Sequence, residues 1–168
     1  MNEIVNGAEH SEQYQQYLTF SLKEEYYGIA ISSVKEIIEY RTITAIPLMP
    51  EFVKGVLNLR GEVVPVIDLS MRFGKPASEI RKRSCIVIIE ITYEEQIVLL
   101  GVVVDAVNEV VDITASQIDP PPTFGAKIRA EFIKGVANVE EQFIVLLRMA
   151  KVLSIDEMAT LIARTVEQ

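Results

Sequence analysis

The chain has 168 residues, room for one domain of ordinary size or two small intertwined ones, and its 49% hydrophobic content excludes a disordered chain. A formal net charge of −8 argues against nucleic acid or an anionic membrane as the main ligand. The single cysteine, Cys85, excludes a disulfide framework or a zinc site within one chain, and its apolar run Cys85-Ile86-Val87-Ile88-Ile89 predicts a buried small hydrophobe.

Met1 to Gln13 reads as a flexible tail, with no apolar signal core, and nowhere is there an unbroken apolar run of about eighteen residues. The expectation is a soluble, cytoplasmic protein. From Tyr17 to Leu22 apolar and polar residues nearly alternate, which is strand periodicity. Lys23-Glu24-Glu25 is a turn, and Tyr26 to Ile31 a second strand. Val34 to Tyr40 reads as a third, followed by a proline-bearing connection from Ile43 to Pro50. Glu51 to Gly55 is expected to form a helical turn. Val56 to Asn58 and Val63 to Ile67 then bracket a hairpin turn at Arg60-Gly61. Pro65 must sit where the ladder needs no donor. Asp68 is placed to cap a short helix from Leu69 to Phe73, ended by Gly74 and Pro76.

The same order then recurs. Cys85 to Ile91, a turn, and Gln96 to Val104 make a hairpin; Val107 to Ile113 is a strand; Ser116 to Gly125 is a longer proline loop; Phe143 to Met149 is the last strand. Two blocks repeat nearly letter for letter. Glu51 to Asn58 is E-F-V-K-G-V-L-N and Glu131 to Asn138 is E-F-I-K-G-V-A-N, while Gly28 to Glu39 matches Gly101 to Asp112. The chain is therefore read as an internal duplication, with repeats at about 17–75 and 84–153, in a single domain over 14–168. Ser154 to Glu157 is a capping box for a C-terminal helix over about 155–166, with Ile155, Met158, Ala159 and Ile162 as its apolar stripe. Many short strands and little helix favour a mainly β fold of two small barrels sharing a core.

Catalytic chemistry is hard to find. The one histidine, His10, lies in the tail and lacks the placement a general base needs. Phosphate-cradle motifs are missing. The carboxylates Asp68, Glu90, Asp105, Glu109 and Asp112 read as solubility and turn capping rather than a glycosidase pair. The expectation is a binding or scaffolding module: no enzyme, no cofactor, no metal.

The most informative asymmetry follows the shared Asn. The first copy continues Leu59-Arg60-Gly61, the second Val139-Glu140-Glu141. A feature required by the fold should recur in both halves; one present in a single copy is freer to serve a partner. Arg60 is read either as a solvated turn tip or as an anchor making directed bonds, with Glu36 its expected partner across the fold. Glu109 is the equivalent of Glu36 and has no arginine at the matching place.

Val34-Lys35-Glu36-Ile37, Pro47, Phe52 through Gly61 with N-L-R-G, Val64-Pro65-Val66-Ile67-Asp68-Leu69, Gly101 to Asp105, and Phe124-Gly125 resemble the CheW family of bacterial chemotaxis coupling proteins, over about Tyr17 to Met158. The resemblance implies two intertwined five-stranded SH3-like β-barrels about a shared core. It also implies an adaptor between the cytoplasmic tips of chemoreceptors and the regulatory domain of the histidine kinase CheA, cytoplasmic and recruited to membrane-associated arrays. By position it assigns Val34, Glu36, Ile37, Gly55, Asn58 and Arg60 to a receptor groove between the barrels. Val34 and Ile37 are read with equal weight as groove contacts or plain core. Asp119 and Phe124 are assigned to the kinase-facing surface, Asp119 where some members carry arginine. Two alternatives are a CheW-like scaffold in a non-chemotactic kinase array and a ligand-binding or hydrolytic barrel.

Overall fold

The computed structural model describes residues 13–121, 129–153 and 155–166. His10, Phe124 and Ser154 lie outside them, as do the side chains of Ile155, Met158 and Ile162. The first repeat contributes β1 (Tyr14–Leu22), β2 (Glu25–Ala30), β3 (Val34–Glu39), β4 (Val53–Leu59), β5 (Glu62–Asp68) and the helix α1 (Leu69–Arg72). The second contributes β6 (Cys85–Tyr93), β7 (Gln96–Val104), β8 (Ala106–Thr114), β9 (Ile118–Asp119), β10 (Ile133–Val139), β11 (Gln142–Leu147) and the helix α2 (Ile155–Val166).

The strands make two sheets, in the orders β8-β1-β2-β11-β10-β9 and β3-β6-β7-β5-β4. Each repeat lends its first hairpin to the other. Hairpin β1–β2 completes the barrel built from β8 to β11, and hairpin β6–β7 completes the barrel built from β3 to β5. The joins are of matched kind: β2 runs parallel to β11, and β7 parallel to β5. Irregularities are duplicated as well. The register slips between Val53 and Gly55 on β4 and between Ile133 and Gly135 on β10. A bulge kept in both copies is part of the fold's design rather than a defect.

Among the described residues, four two-residue hairpin turns have both central residues at positive φ: Lys23-Glu24, Arg60-Gly61, Glu94-Glu95 and Glu140-Glu141. Such turns match the right-handed twist of the flanking strands, which outweighs the cost of placing side-chain-bearing residues there. Pro65 sits opposite Val56, and Val56 exchanges its backbone bonds with Thr44 instead (2.9 and 2.8 Å). The Pro65–Val56 pair is thus a non-hydrogen-bonded one, and the proline costs β4–β5 no donor.

Three apolar clusters follow from strand alternation. The largest lies between the barrels and joins Leu18, Phe20 and Tyr27 of the first repeat to Val87, Phe132 and Leu147 of the second. Leu57, Leu59, Val64 and Ile86 fill the first barrel; Tyr17, Ala137, Ile144 and Leu146 fill the second. Because the central cluster draws on both repeats, separating them would leave neither with a complete core.

Three expectations need correction. Pro50–Phe52 is only a turn and the strand begins at Val53, because Lys54 is absorbed as the bulge rather than as part of a helix. Cys85 is half-buried, since it opens β6 at the sheet's rim, where its thiol meets the carbonyl of Arg83. Ala159 is exposed, and Leu161 supplies the buried contact of α2 instead. Asp68 does cap α1: its carboxylate accepts from Met71 N (3.2 Å) and from Ser78 N (2.9 Å).

Candidate functional site at the mouth of the first barrel

Among the described residues strand β3 forms an edge of its sheet and pairs only with β6, so the alternation along it decides what each candidate faces. Ile37 pairs with Val87, a member of the central cluster, and so points toward the space between the barrels; it is 42% exposed. Val34 pairs with Ile89 on the same side and is half-buried against that cluster. Glu36 pairs with Ile88, which lines the first barrel, and so stands at that barrel's rim.

The Arg60 guanidinium closes the rim. It donates to Glu36 Oε2 from the tip of the β4–β5 hairpin, where Arg60 itself has φ 53°. Asn58 builds this tip: its side-chain oxygen accepts from Gly61 N at 2.8 Å, and its carbonyl accepts from Arg41 Nη2 at 3.0 Å. The hydrogen bond that Arg60 donates to Glu36, and then the Glu36 charge, raise the Arg60 pKa above its ordinary value. The guanidinium stays largely in water, and an exposed pair of this kind contributes little to stability. The pair orients the guanidinium: one edge of its planar fork is held by Glu36, and the rest faces water.

Gly55 has a different explanation. At φ 142°, a Cβ built on it would lie 2.0 Å from the Thr44 carbonyl oxygen. Gly135, its match, would meet Ile118 Cγ2 at 2.5 Å. Both glycines let a neighbouring strand approach, a requirement of the fold in each half. The structure thus brings Glu36, Asn58 and Arg60 together, with Ile37 beside them on β3, while Gly55 is accounted for within the chain. Asp119 lies exposed on β9 in the other barrel, paired with Val136. Phe124 falls outside the described residues.

Two features escaped the sequence reading. Arg41 joins the cluster by bonding the Asn58 carbonyl, and nothing in its local pattern distinguished it. Arg72 is buried between two phenylalanines and ties α1 to α2. The duplicated phenylalanines were visible as a signal; what lay between them was not. Among the described residues no group of three or more His, Cys, Asp or Glu side chains is placed to hold a metal ion, and no helix is long and apolar enough to cross a membrane.

The comparisons with known proteins agree with this architecture. The CheW-like domain family matches residues 16–157. The chain is 39% identical to the chemotaxis protein CheW of Klebsiella aerogenes over 86% of this chain and 85% of that protein. It is 32% identical to CheW of Treponema pallidum, over 94% and 92% of the two chains. The solved structure of the scaffolding protein TtCheW from Thermoanaerobacter tengcongensis superposes with a TM-score of 0.77 at 37% identity, covering 88% of this chain and 93% of that one. The chain belongs to the CheW family of chemotaxis scaffold proteins.

Proposed function

We propose that the chain couples the cytoplasmic tips of chemoreceptors to the regulatory domain of the histidine kinase CheA, promoting array assembly and receptor control of the kinase. The observation that carries this reading is the Glu36-held Arg60 at the mouth of the first barrel, beside an exposed Ile37 facing the space between the barrels. A receptor tip is a helical bundle, and helix-in-groove docking needs an apolar contact flanked by an oriented polar anchor. Ile37 supplies the first, with Val34 beneath it; Arg60 supplies the second, held by Glu36 and by the turn that Asn58 builds. Asp119 and Phe124, in the second half of the sequence, are assigned to the kinase, so the two partners draw on different halves of the chain. In this role the chain works without a catalytic group or cofactor, and arrays recruit it to the membrane through its partners.

The test is calorimetry with the CheA regulatory domain and, separately, with a receptor cytoplasmic hairpin, using Arg60→Ala and Phe124→Ala in parallel. The expected result is that Arg60→Ala weakens receptor binding and spares the kinase domain, while Phe124→Ala does the reverse. Absence of saturable binding to either partner by the folded wild-type chain overturns the assignment.

A further inference from the structure

The mouth of the second barrel is built like the first and closed differently. Glu109 occupies the place of Glu36, and Glu140 the place of Arg60. The β10–β11 tip keeps the same backbone, with φ 52° at Glu140 and 68° at Glu141, against 53° at Arg60 and 90° at Gly61. The first tip side chain has changed sign, and Gly61 is matched by a second carboxylate, Glu141. Where the first mouth is bridged by an ion pair, the second is a cavity of about 180 Å³. Its walls are Thr19, Tyr26, Glu109, Val139, Glu140 and Ile144. Thr19 is buried and fixes the local backbone, donating to the Glu109 carbonyl at 2.7 Å and accepting from Glu109 N at 3.1 Å. Among the described residues, neither the two carboxylates nor the Tyr26 hydroxyl has a hydrogen-bond or ion-pair partner.

We propose that this mouth is a socket for an arginine side chain presented by a partner protein, its guanidinium lying between Glu109 and Glu140. The first barrel shows the chemistry in the same chain: the glutamate at this position already holds a guanidinium, supplied there from the hairpin tip. In the second barrel the tip withdraws that arginine and offers another carboxylate. The vacancy so created has the sign, the planar acceptors and the size for a guanidinium from outside. Arginine suits it better than lysine, because two carboxylates and a phenol receive a fork of donors rather than a point charge. Val139 and Ile144 give the flat cation an apolar floor. The net charge of −8 favours approach of a basic partner. The socket is distinct from the receptor and kinase residues assigned above, and does not depend on that assignment.

The complete, isotope-labelled chain is titrated with acetyl-arginine-amide up to about 0.1 M, and with acetyl-citrulline-amide, its neutral isostere, while amide shifts are followed by NMR. The expected result is saturable movement of the Thr19, Asn108, Glu109 and Glu140 amides with arginine and none of comparable size with citrulline. Glu109→Gln/Glu140→Gln loses the response. Glu94→Gln/Glu95→Gln, which removes the same charge at the β6–β7 tip, keeps it. Glu140→Arg rebuilds the internal pair and silences the mouth. No saturable shift, equal responses to arginine and citrulline, or equal loss in the Glu94/Glu95 control overturns the proposal.

Discussion

Arg72 Nε donates to the carbonyl of Val152 at 2.6 Å, and Val152 is the residue at Arg72's own position in the second repeat. The contact therefore joins the two copies near the axis that relates them. The guanidinium lies 4.8 Å from the ring centre of Phe52 and 5.1 Å from that of Phe132, the matched phenylalanines of the duplicated block. Its Nη2 donates to Glu157 at 2.9 Å, so one buried cation holds α1, both repeats and α2. Burial pushes its pKa below the ordinary arginine value, and the Glu157 charge opposes that shift. Arg72→Ala is expected to lower the unfolding free energy by about 2–4 kcal/mol, since it leaves the Val152 carbonyl without this donor and removes a cation packed against two rings. Arg72→Lys should recover less than half, because an ammonium cannot stack as a plane between two rings. Urea denaturation of the three proteins checks this; full rescue by lysine would reduce the site to a point charge.

Gly55→Ala should be among the costliest small substitutions in the chain. The new methyl group meets a backbone oxygen, which has nowhere to go, in a conformation disfavoured for any side chain. A loss of about 3 kcal/mol or more is expected. A methyl group at Gly135 would lie 2.5 Å from Ile118 Cγ2 and 2.7 Å from the Asp119 carbonyl oxygen, less severe than the 2.0 Å at Gly55 and without a positive φ, so its loss should be smaller. Denaturant midpoints for the pair measure the difference, and equal midpoints would contradict this account.

Alkaline unfolding should report Tyr27. Its ring is stacked on Phe20 at 5.8 Å and its hydroxyl donates to Glu25 at 2.9 Å. Burial first, then the Glu25 hydrogen bond and charge, raise its pKa well above 10.0. Above pH about 10 the unfolded chain loses this proton while the folded chain keeps it, so stability falls as pH rises through that range. Tyr27→Phe should flatten the decline between pH 9.5 and 11.5 (about those limits) without adding any dependence below pH 9 or so. Thermal melts across that interval decide it; an unchanged slope would assign the decline to other groups.

The Arg60–Glu36 pair should matter for binding and hardly for folding. Arg60→Ala and Glu36→Gln are each expected to leave the circular-dichroism spectrum intact and the melting temperature within about 2 °C of the parent. Binding to a receptor hairpin should weaken about tenfold in either case, the glutamine acting through lost orientation of the arginine. Collapse of the native spectrum in Arg60→Ala would make the residue structural instead.

The hairpins, the duplication and the Asp68 cap were legible in the sequence because each is local: alternation over six to nine residues, or an aspartate followed by a short helix. The Glu36–Arg60 pair was legible through asymmetry, as a difference between copies that otherwise agree. Strand partnership was not. Alternation tells which side of β2 is buried but not that β11 lies next to it, and that parallel join is made more than a hundred residues away in sequence. Arg72 was invisible for a related reason. In a four-residue helix an arginine in the last turn looks like an ordinary cap, and only the exchange of hairpins brings Phe52 and Phe132 to either side of it.

That exchange also bears on where such a chain comes from. A single repeat translated alone would carry a hairpin with no barrel of its own to complete, and a three-stranded remnant lacking its hairpin. Two such molecules would satisfy one another by trading hairpins, as an obligate swapped homodimer. Joining them head to tail converts a concentration-dependent association into an intramolecular one and fixes the stoichiometry. It also frees the two halves from being identical. Once tethered, one mouth could keep its arginine while the other exchanged it for a glutamate, and a symmetric pair acquired two different ends.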